Sequence, residues 1–515
     1  MSKFFKGTLI LLIAGFITRI FGFINRIVIA RMIGAEGVGL YMMAFPTFIL
    51  VVTLTQLGLP VAISKRVAEA EANGDMKKVK KILAISLLIT GTLAFIFTPL
   101  LLIGAPLIAE LFFTDKRTMY PLIAITPVIP IIAMSSVIRG YFQGKQNMKP
   151  AAFSQILEQT VRILFIILLT KYFLPYGVHM AAAGVMVATI LGEFISLVYL
   201  VMMFKIKKAF PLRKKFFHLK NGKDIFYELM RIALPTTGGR LIGSVSWFLE
   251  PIVVTQSLAL AGITTVVATK QYGALTGFSM PLLFLPSFIT VALSTALIPS
   301  ISEAMSLKNY PLVEKRLQQA LKITIVTGAL PIAILYVLAE PIMLFVYQSK
   351  SGIAFIKLMA PFFIFQYLQL PLSSALQALD LARQAMINSL IGAGVKLLTI
   401  FVLASRPDFG INGVAIGIVV GFVLVTFLHY ATILKIVPLN FYVRLYSIVL
   451  LITFMTSFVG STLFKQLYEG HSYIVTIGTV TLAMTLLYAI FLFLFRILDK
   501  NSIKKLWLLL SPKNV

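Results

Sequence analysis

Arg19 and Arg26 stand seven residues apart inside the first apolar stretch, residues 7–33. At about 100° per residue they share one face of a helix. An arginine near a bilayer centre costs roughly 3 kcal/mol on insertion scales, so both need an anionic partner or a watery cavity. Planar guanidinium groups bind phosphate oxygens through paired hydrogen bonds, which points to an anionic ligand. The alternative is pairing with carboxylates or backbone carbonyls between helices. Arg31, about 120° round from Arg19, falls near the end of the stretch, where it can reach the interface.

A second polar stripe, Gln155, Glu158, Gln159 and Arg162, recurs at i, i+3, i+4 and i+7 in the fifth apolar stretch. One helical face carries all four, and Glu158 reaches Arg162 one turn later. That face either fixes the helix in a packed polar network or lines a cavity. In a cavity, Gln155 and Gln159 would hydrogen-bond sugar hydroxyls, with Glu158 and Arg162 as an ion-sensitive gate. The seventh stretch holds Arg240, Gly243, Trp247 and Glu250 on one side, between Pro235 and Pro251. Prolines there predict a bent helix, with Arg240 as a ligand contact and Glu250 as a gating residue, or an interhelical ion pair between them. Lys270 opens the eighth stretch and Lys396 lies within the eleventh. Both are substrate-binding candidates, although Lys270 also suits an interfacial position. The run Arg139-Gly140-Tyr141-Phe142-Gln143-Gly144-Lys145 is expected to anchor the end of the fourth stretch.

Acidic residues within the apolar stretches are few, chiefly Glu158, Glu193 and Glu250. A cavity built from these parts is cationic, and its substrate anionic. No HExxH, phosphate-loop or paired-histidine motif is present, and the chain has no cysteine. These features predict neither an enzyme nor a resident cofactor or metal, although a coupling ion or the membrane potential could supply energy.

The elements that must position these residues are membrane helices. Of 515 residues, 59% are hydrophobic and only 12% charged, and the mean hydropathy is +0.95. A soluble core of this size would need more polar surface, whereas fourteen apolar stretches of bilayer-spanning length can be traced. The first continues past any short signal-like core, which predicts a retained helix and not a cleaved leader. The formal net charge of +28 reads here as membrane topology and not as nucleic-acid binding. Lys65, Arg66, Lys77, Lys78, Lys80 and Lys81, the run Lys205 to Lys223, and Lys500, Lys504 and Lys505 all fall on one side if both termini are cytoplasmic. Trp507 to Leu510 suggest a short interfacial helix beyond the last span.

The basic segment 205–225 separates two similar halves. Gly58-Leu59-Pro60 matches Leu297-Ile298-Pro299, Ala105-Pro106 matches Glu340-Pro341, and Val161-Arg162 matches Val395-Lys396, in order and at a nearly constant offset. This predicts an all-α polytopic fold of two six-helix lobes, 1–204 and 226–434, in parallel pseudo-twofold repeat, with two additional helices and a tail in 435–515. Parallel repeats are a transporter architecture with a site near mid-membrane.

The run Thr18-Arg19-Ile20-Phe21-Gly22-Phe23, with Ile29-Ala30-Arg31-Met32-Ile33-Gly34 and Gly37-Val38-Gly39-Leu40-Tyr41, resembles the multidrug/oligosaccharidyl-lipid/polysaccharide exporter superfamily. Thr55-Gln56-Leu57-Gly58-Leu59-Pro60-Val61-Ala62-Ile63-Ser64 and Arg139-Gly140-Tyr141-Phe142-Gln143-Gly144 are similar to its polysaccharide-transporter branch. The resemblance implies a flippase for a lipid-linked saccharide or lipid II-like peptidoglycan precursor, working by alternating access in spore cortex synthesis. Its implied partners are an undecaprenyl-linked anionic saccharide, membrane lipids and cell-wall synthesis proteins. By the same resemblance, the first-helix arginine of lipid II flippases matches Arg19, their next arginine falls at Asn25 beside Arg26, and their second-helix arginine has no basic counterpart near Gln56. Two other readings are a cation-coupled multidrug exporter, which would need a carboxylate-dominated cavity, and a non-transporting scaffold for cortex synthesis.

Overall fold

A computed structural model describes residues 3–206, 222–438, 443–468 and 472–497. Most of the basic segment 205–225, and the interfacial helix expected at Trp507 to Leu510, lie outside the described residues. The described residues are predominantly helical: α1 (Lys3–Gln56), α2 (Leu59–Ala72), α3 (Met76–Leu111), α4 (Met119–Ile125), α5 (Val128–Gly144), α6 (Met148–Phe173), α7 (Val178–Ile206), α8 (Gly222–Leu260) and α9 (Thr265–Gly273) come first. They are followed by α10 (Met280–Phe284), α11 (Ser287–Ser306), α12 (Tyr310–Val337), α13 (Ala339–Tyr347), α14 (Ile353–Met359), α15 (Phe363–Ala378), α16 (Ala382–Ala404), α17 (Gly410–Leu434), α18 (Val443–Tyr468) and α19 (Tyr473–Leu494).

Among the described residues twelve helices are long and apolar enough to cross a membrane, or thirteen if the bent pair α4 and α5 forms one span. The protein is therefore a multi-pass membrane protein. This differs from the fourteen stretches traced in the sequence for local reasons. The first two stretches run together in α1, broken only at Gly34, whose φ of 64° favours glycine. The fourth stretch is the bent pair α4 and α5, whereas the eighth, divided between α9, a π-helical segment at Ala274–Ser279, α10 and α11, still supplies one span, α11.

The chain divides into two compact units: Met1–Phe278 with Phe401–Ile411, and Ser279–Ile400 with Asn412–Val515. The first unit is centred on α2, whose Leu59, Ile63 and Val67 pack with Ile82, Tyr141, Phe142, Leu200 and Leu229. The contact of α2 with α5 uses Gly140 and Gly144, one turn apart on α5: a Cβ there would lie 2.9 Å from Pro60 O and 2.7 Å from Ser64 O. Small residues at this spacing let membrane helices touch along their backbones. Large apolar side chains point outward, Phe95 being 81% and Ile103 78% exposed, as a lipid-facing surface requires.

In the second unit Leu297, Ile301, Leu317, Leu321, Leu376 and Ile433 join α11, α12, α15 and α17. A separate cluster of Ile325, Val449, Ile452 and Tyr488 fastens α18 and α19 to α12. The buried Tyr367 hydroxyl donates to Leu283 O at 2.6 Å, so an aromatic anchor of α15 also satisfies a backbone acceptor of α10.

Candidate functional site

The expected Glu158 to Arg162 pair forms on α6, and two further helices complete it. The Arg139 guanidinium of α5 donates to Glu158 at 3.2 Å, to Glu193 of α7 at 3.3 Å and to Ser196 Oγ at 2.9 Å, while Arg162 donates to Glu158. Both carboxylates are buried, and two arginines balance two glutamates. Such pairing is what allows formal charge inside a membrane protein. Gly192 makes it possible. A Cβ there would lie 2.8 Å from Glu158 O and 3.1 Å from Arg162 Cβ, so α6 and α7 meet at the network itself.

On the open side of Arg162 lies a cavity of about 150 Å³. Asn25, Arg26, Tyr41 and Phe45 of α1 line it, with Gln159 and Arg162 of α6 and Gly277 beyond α9. Two cationic side chains face it, and no carboxylate is among its lining residues. Among the described residues the buried Asn25 Oδ1, Gln159 Oε1 and Arg162 Nε have no hydrogen-bond partner, so the walls hold polar groups for a ligand or water to satisfy. Tyr41 stacks on Phe45 with ring centroids 5.3 Å apart, and Phe45 meets Trp247 of α8 edge-on at 5.8 Å. This aromatic row makes one wall firm. The arrangement can bind an anion; it has no nucleophile, base or metal set directed at one point.

The structure thus brings together Arg26, Gln159 and Arg162, with Glu158 behind them. Gln155 is half-buried one turn before Gln159 and outside the lining. Arg19 is exposed and also outside it, about 10 Å from Arg26 along the helix axis. Arg240 is exposed on α8, a helix held to α1 by Thr53 and Ser244 hydroxyls 3.1 Å apart. Glu250 is buried on α8, and Lys270 is exposed on α9. Lys396 belongs to the second unit, where its stem lies against Gly421, whose added Cβ would be 3.0 Å from Lys396 Cβ.

Sequence reasoning missed Arg139 and Glu193 as network members. The usable signal was charge counting, since an intramembrane Glu193 needs a cation from elsewhere. It also missed a second polar knot. Arg117 donates to Asp115 through Nε at 3.0 Å and Nη2 at 2.8 Å, and to Glu36 of α1 at 2.6 Å; Thr269 of α9 donates to Asp115 at 2.9 Å. Burial alone would raise the Asp115 pKa, but hydrogen bonds from Arg117 and Thr269 outweigh it and hold the carboxyl below its usual range. Beside this knot, Gly39 and Gly273 let α1 and α9 touch: a Cβ at either would overlap backbone atoms of the other segment.

Residues 4–305 match the polysaccharide biosynthesis protein family, and residues 251–402 match the MatE family. Stage V sporulation protein B of Bacillus subtilis (strain 168) is 55% identical over 98% of this chain and 98% of its own length. The lipid II flippase MurJ of the same organism is 26% identical over 77% of this chain and 76% of its own. Among solved structures, a lipid II flippase MurJ in an inward closed conformation shares the fold with a TM-score of 0.72 at 17% identity, covering 95% of this chain and 98% of that one. With more than half its length matched and so close a full-length relative, this chain belongs to the polysaccharide biosynthesis protein family.

Proposed function

We propose that this protein is a flippase that moves a lipid-linked saccharide or peptidoglycan precursor across the cell membrane by alternating access, serving spore cortex synthesis. The observation that carries the reading is the cavity faced by Arg26 and Arg162 and by no carboxylate. A diphosphate cannot cross hydrocarbon with its charge unpaired, and two guanidinium groups replace its hydration with charge-assisted hydrogen bonds. Gln159 and Asn25 supply amide groups suited to sugar hydroxyls. Names of relatives, a stage V sporulation protein and a lipid II flippase, support a peptidoglycan precursor on an undecaprenyl carrier.

In this reading Arg19 meets the headgroup first and passes it two turns further along the same face of α1 to Arg26. Arg240 and Lys270 provide later contacts and Glu250 gates, while Lys396 is a substrate contact of the second unit. The chain crosses fourteen times with both termini cytoplasmic, as two six-helix repeats at 1–204 and 226–434 followed by two further helices. The break at Gly34 within α1 and the bent pair α4 and α5 are compatible with that count. The prenyl tail stays in lipid alongside the last two helices. A cation-exporting reading is disfavoured because Glu158 and Glu193 are each already engaged by guanidinium.

The test is reconstitution in vesicles with fluorescent lipid II, measuring headgroup exposure on the far side. Arg26→Gln removes charge-assisted hydrogen bonds worth about 2 kcal/mol, or about thirtyfold in headgroup affinity. Arg19→Ala should abolish transport while leaving membrane insertion intact. Unchanged exposure in both variants would refute the assignment, and movement of a different prenyl-linked sugar alone would redirect the substrate.

A further inference from the structure

We infer that the seam between α12 and α18 binds an anionic phospholipid. At one end it opens as a polar cleft of about 520 Å³, lined by Glu314, Lys315, Gln318 and Lys322 of α12 and by Leu445 and Tyr446 of α18. Lys315 and Lys322 recur at i and i+7 and therefore share a face of α12. Arg444 is exposed immediately before the α18 lining residues. Glu314, the acidic residue of the cleft, accepts from Gln318 at 2.8 Å, and among the described residues none of the three cations makes a salt bridge. The positive charge is thus available to a phosphate.

One helical turn further along both helices the seam becomes apolar. From Lys322 it passes to Ile325, and from Tyr446 to Val449, opening a groove of about 450 Å³. Ile325, Ala329 and Tyr336 form one wall, with Val449, Thr453 and Phe454 opposite. The stretch from Ile325 to Tyr336 is about 16 Å long at 1.5 Å per residue, near half of a hydrocarbon core of about 30 Å. A cationic mouth leading to an apolar groove one leaflet deep has the form of a diacyl lipid with an anionic head. An undecaprenyl chain would overrun it. In the topology proposed above the mouth faces the cytoplasmic leaflet, where basic pockets between helices collect anionic headgroups.

Native mass spectrometry of the full-length protein, released from nanodiscs containing phosphatidylglycerol, phosphatidylcholine or undecaprenyl phosphate, tests the site. Phosphatidylglycerol should be retained and phosphatidylcholine lost. At roughly fivefold per basic residue, Lys315→Gln with Lys322→Gln should weaken retention about thirtyfold. Ser457 of α18 also lines the groove; Ser457→Phe fills it without altering charge and should also displace the lipid, so the inference does not depend on one variant folding well. Retention equal to the parent in both variants overturns it. So does equal retention of phosphatidylcholine, or displacement of phosphatidylglycerol by undecaprenyl phosphate, which would make the seam a prenyl site. None of these outcomes depends on transport, so the flippase reading stands or falls separately.

Discussion

Glu158→Gln is the substitution whose consequences the structure specifies most fully. The carboxylate accepts from both Arg139 and Arg162, whose side chains are only 19% and 16% exposed, and is itself 8% exposed. A glutamine keeps one acceptor oxygen, but it turns an NH2 group toward a guanidinium and leaves two arginines facing Glu193 alone. Removing one partner of a buried ion pair costs 3–5 kcal/mol in general; because water still reaches the two arginines, the lower end applies, about 3 kcal/mol. Unfolding in mixed micelles, titrated with a denaturing detergent, measures this. The double variant Arg139→Gln with Glu158→Gln restores neutrality, so the two losses should be non-additive by at least about 1 kcal/mol. A single-variant loss below about 0.5 kcal/mol, the range of surface substitutions, would refute the charge-balance argument. So would strict additivity in the double variant.

Three further outcomes are expected. Gly192→Val places a branched side chain where Glu158 O and Arg162 already sit, and should loosen the contact between α6 and α7 by about 2 kcal/mol, read by the same titration. Gly273→Ala overlaps the backbone of α1 and should raise proteolytic sensitivity at the Asp115 knot. Because the folded-state pKa of Asp115 is depressed, its contribution is complete above the unfolded value of about 3.9. It is then lost as pH falls through the folded value. Detergent-solubilised protein should therefore lose stability below about pH 4, and Asp115→Asn should flatten that dependence; an identical acid profile would show that the knot does not contribute.

The amino-acid sequence by itself determined what repeats locally. Hydropathy marks the spans because a bilayer demands long uninterrupted apolar helices. The four-residue spacing of Glu158 and Arg162 specifies their ion pair, and the seven-residue spacing of Arg19 and Arg26 specifies their common face. Only the tertiary structure decided which of those arginines lines a cavity. Arg26 does so because Gln159 and Arg162 of α6 come to lie opposite Asn25 and Arg26 of α1, whereas Arg19 is outside. Likewise Arg139 meets Glu193, and Thr269 meets Asp115, across separations of 54 and 154 residues. No helical period encodes such meetings. They depend on Gly192, Gly39 and Gly273 letting backbones approach, and that approach is a property of packed pairs of helices and not of any one of them.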